Sequence, residues 1–347
     1  MKVYIDGRVF QEADTPQKTL KLTHVLGDIF DDNRHRLLVD DPQMEHTAFF
    51  QDAPIFQELL KESFAATVTA DSANSNQCKV TTDGEQESEQ KIFNPDEAHQ
   101  YLSKPFAVFV ENSLNDAYFL KALFTYFDDA GSLRKRLEKQ WIKFENCGGC
   151  ANLQNELTAV VSTLPQRKIK FLHGYILLDS DKRYEGAPLT PQQSDNMAFA
   201  RSLGLSVHML EKRAMENYMP DEIVREILPR TSTQWIDAYM SLSEKQKDYF
   251  CTASGFRKDL NNGATQRTPE SRLTTNNFFP EQKEFYADLP EPVFRKLIGG
   301  SGLRDFKKEF PKGFEHERIS KETLLRRTRS SNLEELQQIV NDILALV

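Results

Sequence analysis

No uninterrupted apolar run in these 347 residues approaches the ~18 that a membrane-spanning helix needs, so no membrane span is expected. Cysteine is scarce as well. Cys78, Cys147, Cys150 and Cys251 are too few and too scattered for a disulfide framework. The opening Met1-Lys-Val-Tyr-Ile-Asp6 lacks the basic-then-apolar order of a secretory leader. These absences together predict a cytoplasmic protein with reduced thiols. There is no glycine-rich phosphate-cradling loop, and no nucleophile stands beside an evident base. Histidines are dispersed, and His173 and His208, on expected strands, read as core residues. Zinc at Cys147-Gly-Gly-Cys150 would need two more ligands, and no second Cys-x-x-Cys or histidine pair lies at suitable spacing. The glycines suit a tight strand-to-helix turn instead.

What is present is acidic overall, with a net charge of −8, which argues against a surface that binds nucleic acid everywhere. Two local stretches run the other way. Arg134, Lys135, Arg136, Lys139 and Lys143 lie on and just beyond one expected helix. Between Arg304 and Arg329 there are nine Lys or Arg against five acidic residues. Either could meet phosphates or form a solvated helix face.

Four regions follow from pattern. Residues 1–68 read as an accessory α+β unit, with strands near Met1–Arg8 and Arg36–Asp40 and an amphipathic helix from Ala53 to Phe64. Residues 69–100 open with a polar stretch and read as a linker or mobile loop. Residues 101–225 alternate apolar strands (106–110, 141–144, 173–178, 205–210) with helices (114–127, 153–164, 192–203). Strands that are apolar throughout, separated by helices, predict a parallel sheet covered on both faces: an α/β, Rossmann-like core. Residues 226–347 read as a mostly helical domain, with loops at Asn261–Ala264 and Arg267–Glu270. Its last helix is expected from Asn332, with Asn332 and Glu335 forming a reciprocal cap. An apolar stripe of Leu333, Leu336, Ile339, Ile343 and Leu346 follows.

The chemistry gathers in the third region. Glu111 follows the first strand, and Asp116 comes shortly after. Asp179-Ser-Asp181 ends the strand at 173–178, and Glu216 follows the strand at 205–210. Carboxylates at the carboxyl ends of parallel strands converge on the crevice where open α/β sheets hold ligands. An all-oxygen set without thiolate or imidazole suits a hard ion, Mg²⁺ or Mn²⁺.

The order Val110-Glu111-Asn112, Asn115-Asp116-Ala-Tyr-Phe-Leu120, Gly148-Gly149 and Leu177-Leu178-Asp179-Ser-Asp181 resembles a Toprim domain, the catalytic module shared by topoisomerases, bacterial primases and several nucleases. Arg213-Ala-Met-Glu216-Asn217-Tyr218 is similar to the Arg-x-x-Glu-Asn-Tyr element of the OLD-family (overcoming lysogenization defect) Toprim nucleases. The resemblance spans roughly 104–225, about a third of the chain. It implies Glu111 as metal ligand or general acid/base, and Asp179, Asp181 and Glu216 as metal ligands. Lys182, Arg183 or Arg213 would neutralise the phosphate. The family has Glu-Gly-x-x-Asp, whereas here Asn112 replaces the glycine and one residue is added. Either Asn115 or Asp116 therefore holds the second acidic position. The implied activity is a Mg²⁺- or Mn²⁺-dependent nuclease on DNA or RNA, tRNA included, in an anti-phage setting. OLD-family nucleases carry an ATPase domain, and this chain has no phosphate loop. The resemblance therefore implies a separate ATPase partner that works with it or holds it inactive, and leaves a homo-oligomer open. The alternative is a regulatory or scaffolding subunit that keeps the fold without turnover.

Overall fold

Two four-stranded sheets organise the computed structural model, which describes residues 1–39, 41–68, 77–84, 91–256 and 280–347. In the first, β1 (Lys2–Ile5), β2 (Arg36–Leu38), β3 (Gln77–Val80) and β4 (Ile92–Phe93) lie in the order β2-β1-β3-β4. In the second, β5 (Phe106–Val110), β6 (Ile142–Asn146), β7 (Gly174–Leu178) and β8 (Ser206–Met209) lie in the order β6-β5-β7-β8. Every pairing is parallel.

The first sheet corrects two expectations. Parallel neighbours cannot be joined by hairpins and need crossovers. Here α1 (Gly7–Gln11) and α2 (Pro16–Phe30) lead from β1 to β2, and α3 (Ala48–Asp52) and α4 (Pro54–Val68) lie between β2 and β3. The unit is therefore α/β rather than α+β. Nor is 69–100 simply a linker, because it contributes β3, β4 and most of α5 (Pro95–Leu102). The polar residues 69–76 and 85–90, and the loops expected at 261–264 and 267–270, lie outside the described residues.

In the second sheet, α6 (Asp116–Tyr126) and α7 (Ser132–Glu138) follow β5, α8 (Leu153–Thr163) follows β6, and α9 (Pro191–Ser202) follows β7. All five residues of β5 and of β7 are buried, as expected of central strands covered on both faces. Val108, Val110, Tyr175 and Leu177 face α6 and the carboxyl-terminal helices. Ala107, Phe109, Ile176 and Leu178 face α8, α9 and the first unit. At Gly174 a Cβ would stand 2.6 Å from the Ala107 carbonyl oxygen, so only glycine lets β7 approach β5 there. Beyond Pro220 the regular elements among the described residues are helical. Among those residues no helix is long and apolar enough to cross a membrane.

The final helix, Glu335–Leu346, packs Leu336, Ile339, Val340 and Ile343 into this chain's core, while Leu333 stays 53% exposed. The expected cap does not form. Asn332 Oδ1 accepts only from the Glu334 amide, at 3.0 Å. Glu335 is instead buried, accepting from the Tyr218 hydroxyl (2.5 Å) and the Glu211 amide (2.7 Å) beside His208 Nε2 (3.1 Å). A buried carboxylate with several donors outweighs one exposed capping bond, because leaving any of those groups unpaired is costly. Glu335→Ala should accordingly lower unfolding stability by ~3 kcal/mol in urea titration. Leu333→Ala should stay within about 0.5 kcal/mol of the parent.

Candidate metal centre

Chain order along the second sheet reverses between β5 and β7: β5 connects outward to β6, and β7 connects the other way to β8. A crevice opens at the carboxyl ends of two such strands. Glu111 is the first residue after β5 and Asp179 the first after β7, so both sit at its mouth. Asp116 begins α6 and returns its carboxylate to the same place, with Oδ2 accepting from the Asn112 amide at 2.8 Å. Asn112 Oδ1 accepts from the amides of Leu114 and Asn115, both at 3.1 Å, so the added residue is taken up in this turn. Of the two positions left open, Asp116 is the one that joins the acidic group.

Glu216 lies in a single 3₁₀ turn, Met215–Tyr218, and the Met215 amide donates to Asp179 Oδ1 at 3.1 Å. Asp181 stands at the rim in the left-handed region (φ 51°), its amide bonded to the Arg213 carbonyl at 2.9 Å. Ser180 between the two aspartates is buried, with Oγ donating to the Lys212 carbonyl (2.6 Å) and its own carbonyl accepting from Gln193 (2.7 Å). These bonds hold the turn after β7 against the loop carrying Glu216.

The electrostatics are those of crowded acids. Burial, then Asp181, Asp116 and Glu216, raises the Glu111 carboxyl well above its usual range, while the nearby Asp179 backbone opposes part of the rise. Asp116 is pushed up to about 7, mainly by burial, with Glu216 adding repulsion. Asp179 is raised by burial and then by Glu111, Glu216, Asp116 and Asp181. Burial raises Glu216 too. Glu111 Oε1 is buried without a hydrogen-bond partner.

Of the candidate cations, Arg213 stands against the acids. Arg213 Nη2 lies 3.6 Å from Asp181 Oδ1, and its charge also acts on Glu216. Lys182 turns toward Glu211, at 4.0 Å. Lys307, which no local pattern singled out, acts on both Asp116 and Glu216 from the carboxyl-terminal region. Its only trace in the sequence is the basic excess between 304 and 329. In the other basic stretch, Lys135 and Lys139 pair with Asp32, Arg134 with Glu138 and Lys143 with Glu145. It lies toward the amino-terminal end of the sheet, away from the carboxylates.

The Cys147–Cys150 turn borders the centre. Gly148 and Gly149 have φ of 66° and 84°, and a Cβ on Gly149 would stand 3.9 Å from Glu111 Oε2. Burial, followed by Glu111, pushes the Cys147 thiol up to about 12, which is the reverse of a thiolate ligand. His173 is buried with Nε2 facing the Leu346 carbonyl at 3.1 Å, and His208 faces Glu335, so neither belongs to the centre.

Among the described residues, no three His, Cys, Asp or Glu side chains stand close enough together to hold an ion as they are. The chemistry of the set nevertheless fits one. Its donors are all oxygen, one carboxylate oxygen is buried and orphaned, and the repulsion among these acids is what a dication would cancel. No protein-family model, curated protein or solved structure matches this chain.

Asp116 gives a signed test of this crowding. With its pKa raised from 3.8 to about 7, the folded form keeps a proton that the unfolded form releases. The favourable contribution is present below pH ~4 and is lost as pH rises through ~7. In chelator at pH 8, Asp116→Asn should therefore be more stable than the parent by ~1–3 kcal/mol, with the gain vanishing near pH 4, as read by denaturant titration at the two pH values.

Proposed function

We propose that the chain is a Mg²⁺- or Mn²⁺-dependent nuclease of Toprim type, related to the OLD-family enzymes, that hydrolyses phosphodiester bonds in DNA or RNA. The observation that carries this reading is the group Glu111, Asp116, Asp179 and Glu216, half-buried together at the switch between β5 and β7 with Asp181 at its rim. Glu111, Asp179, Asp181 and Glu216 would hold the ion, with Asp116 alongside. When bound, the ion supplies positive charge against the phosphate and its departing oxygen.

The chain's own groups do the rest. Glu111, with a raised pKa and an unpartnered oxygen, is suited to take a proton from the attacking water and to return one. Arg213 and Lys307 approach the centre from two elements and would meet the phosphate's charge as it develops. A separate ATPase partner and a role in anti-phage defence belong to the same reading and rest on the Toprim resemblance alone.

A second reading, a scaffolding subunit without turnover, is favoured by the absence of three ligand groups already at ion-binding spacing among the described residues. Cleavage of plasmid DNA, single-stranded DNA and total tRNA separates the two. The parent should cut at least one substrate in Mg²⁺ or Mn²⁺ and none in EDTA, and Asp179→Asn/Asp181→Asn should lose at least about 100-fold in rate. Equal cutting by parent and variant would contradict the assignment. Silence of the parent on every substrate, with no binding of Mn²⁺, would favour the scaffold.

A further inference from the structure

At the opposite end of the molecule from the carboxylates, a cavity of about 520 Å³ opens where the amino-terminal edge of the first sheet meets the ends of α7 and the last helix. That size falls within the range of small-molecule sites, about 300–1,000 Å³. Lys2, Arg36 and Arg136 line it, with Glu62 the one acidic side chain among the lining residues. The Met1 amine and the Val347 backbone oxygen, which also border it, bond to each other.

Lys2 and Arg36 are register partners on neighbouring parallel strands, so their side chains leave the sheet side by side on one face. Like charges in that relation destabilise a sheet. Among the described residues, none of Lys2, Arg36 and Arg136 has a carboxylate at ion-pair distance. Arg136 is half-buried; burial, and then Arg34 beside it, makes its charge less favourable. Asp128 acts on Arg136 from a distance and Glu62 shares the lining, but the three cations outnumber these acids.

A second observation points to a ligand. His35 lines the cavity and is only 8% exposed. Its Nε2 faces the Leu102 carbonyl at 3.4 Å, and its Nδ1 is buried with no partner. Burial holds the ring neutral, pushing its pKa down to about 2. With Nε2 donating to that carbonyl, Nδ1 is an acceptor in want of a hydroxyl or amino donor. Phe30, Leu37 and Leu344 supply apolar wall.

We propose that this cavity binds a phosphorylated small molecule of nucleotide size, with its phosphate held by Lys2, Arg36 and Arg136 and its hydroxyl-bearing part set against His35. The site is independent of the nuclease reading, and its test does not use cleavage. AMP, ATP and inorganic phosphate are titrated calorimetrically into the full chain in EDTA, so that no divalent ion can recruit them to the carboxylates. AMP or ATP should bind saturably, more tightly than inorganic phosphate and more weakly as salt rises. Lys2→Gln/Arg36→Gln should weaken binding by at least 10-fold while leaving the ligand-free melting temperature at or above the parent's, because the repulsion between the two is relieved. Arg136→Gln should weaken it as well, with circular dichroism confirming that the variant is folded. Absence of saturable binding by either nucleotide, binding undiminished in the folded Lys2/Arg36 variant, or inorganic phosphate binding as tightly as AMP would overturn the proposal.

Discussion

Repulsion among crowded, half-buried acids is the constraint around which the rest of this structure is arranged. Four carboxylates share the crevice between β5 and β7, and burial is the largest cause of the raised pKa at each of them. A fold gains nothing in stability by this. Acids left uncompensated in such a place work against the native state at neutral pH, so the surrounding structure must hold them in position. Sites of this kind trade stability for charge poised to meet a ligand.

The brace comes largely from outside the sheet. Lys212, between β8 and Glu216, is fully buried and pairs with Asp248 and with the Arg327 carbonyl. Arg327 in turn reaches Asp248 (3.1 Å), the Asn217 carbonyl (2.7 Å) and Glu244 (2.8 Å). Asn217 donates to the carbonyls of Lys247 (2.7 Å) and Phe250 (2.8 Å). Residues flanking Glu216 on both sides are thus fixed by groups 30 to 115 positions later in the chain, with Glu335 completing the set through Tyr218. A buried ionic layer is weak evidence of net stability, but removing one member leaves its partners stranded. The carboxyl-terminal region is in this sense part of the centre's frame, and it also supplies Lys307.

Legibility followed the range of the interactions. The second sheet could be read because β5 and β7 are continuous apolar runs, each ending in an acid, and strand period and burial are local signals. The Glu111, Asp179 and Glu216 positions followed from the same pattern. In the first sheet β1 and β2 could be read, but β3 and β4 could not: they have four and two residues, too few for a period to register beside a polar stretch. Helix α2 went unread although Thr15 caps it and Pro16 opens it. Glu335 resembled a cap because its spacing from Asn332 is right; only the tertiary placement of Tyr218 and Glu211 makes it a buried acceptor. Lys307 was not locally legible, since nothing near it in the chain reports that Asp116 and Glu216 are its neighbours in space.

The most direct measurement is calorimetric titration of Mn²⁺ into the metal-free protein at pH 7, in two buffers of different ionisation enthalpy, for the parent and for Glu111→Gln/Asp179→Asn. If the crowded acids form an ion site, the parent binds saturably and releases protons as it does so, because its carboxyls are partly protonated at that pH. The variant loses both signals. Equal binding in parent and variant, or no binding in the parent, would contradict the account.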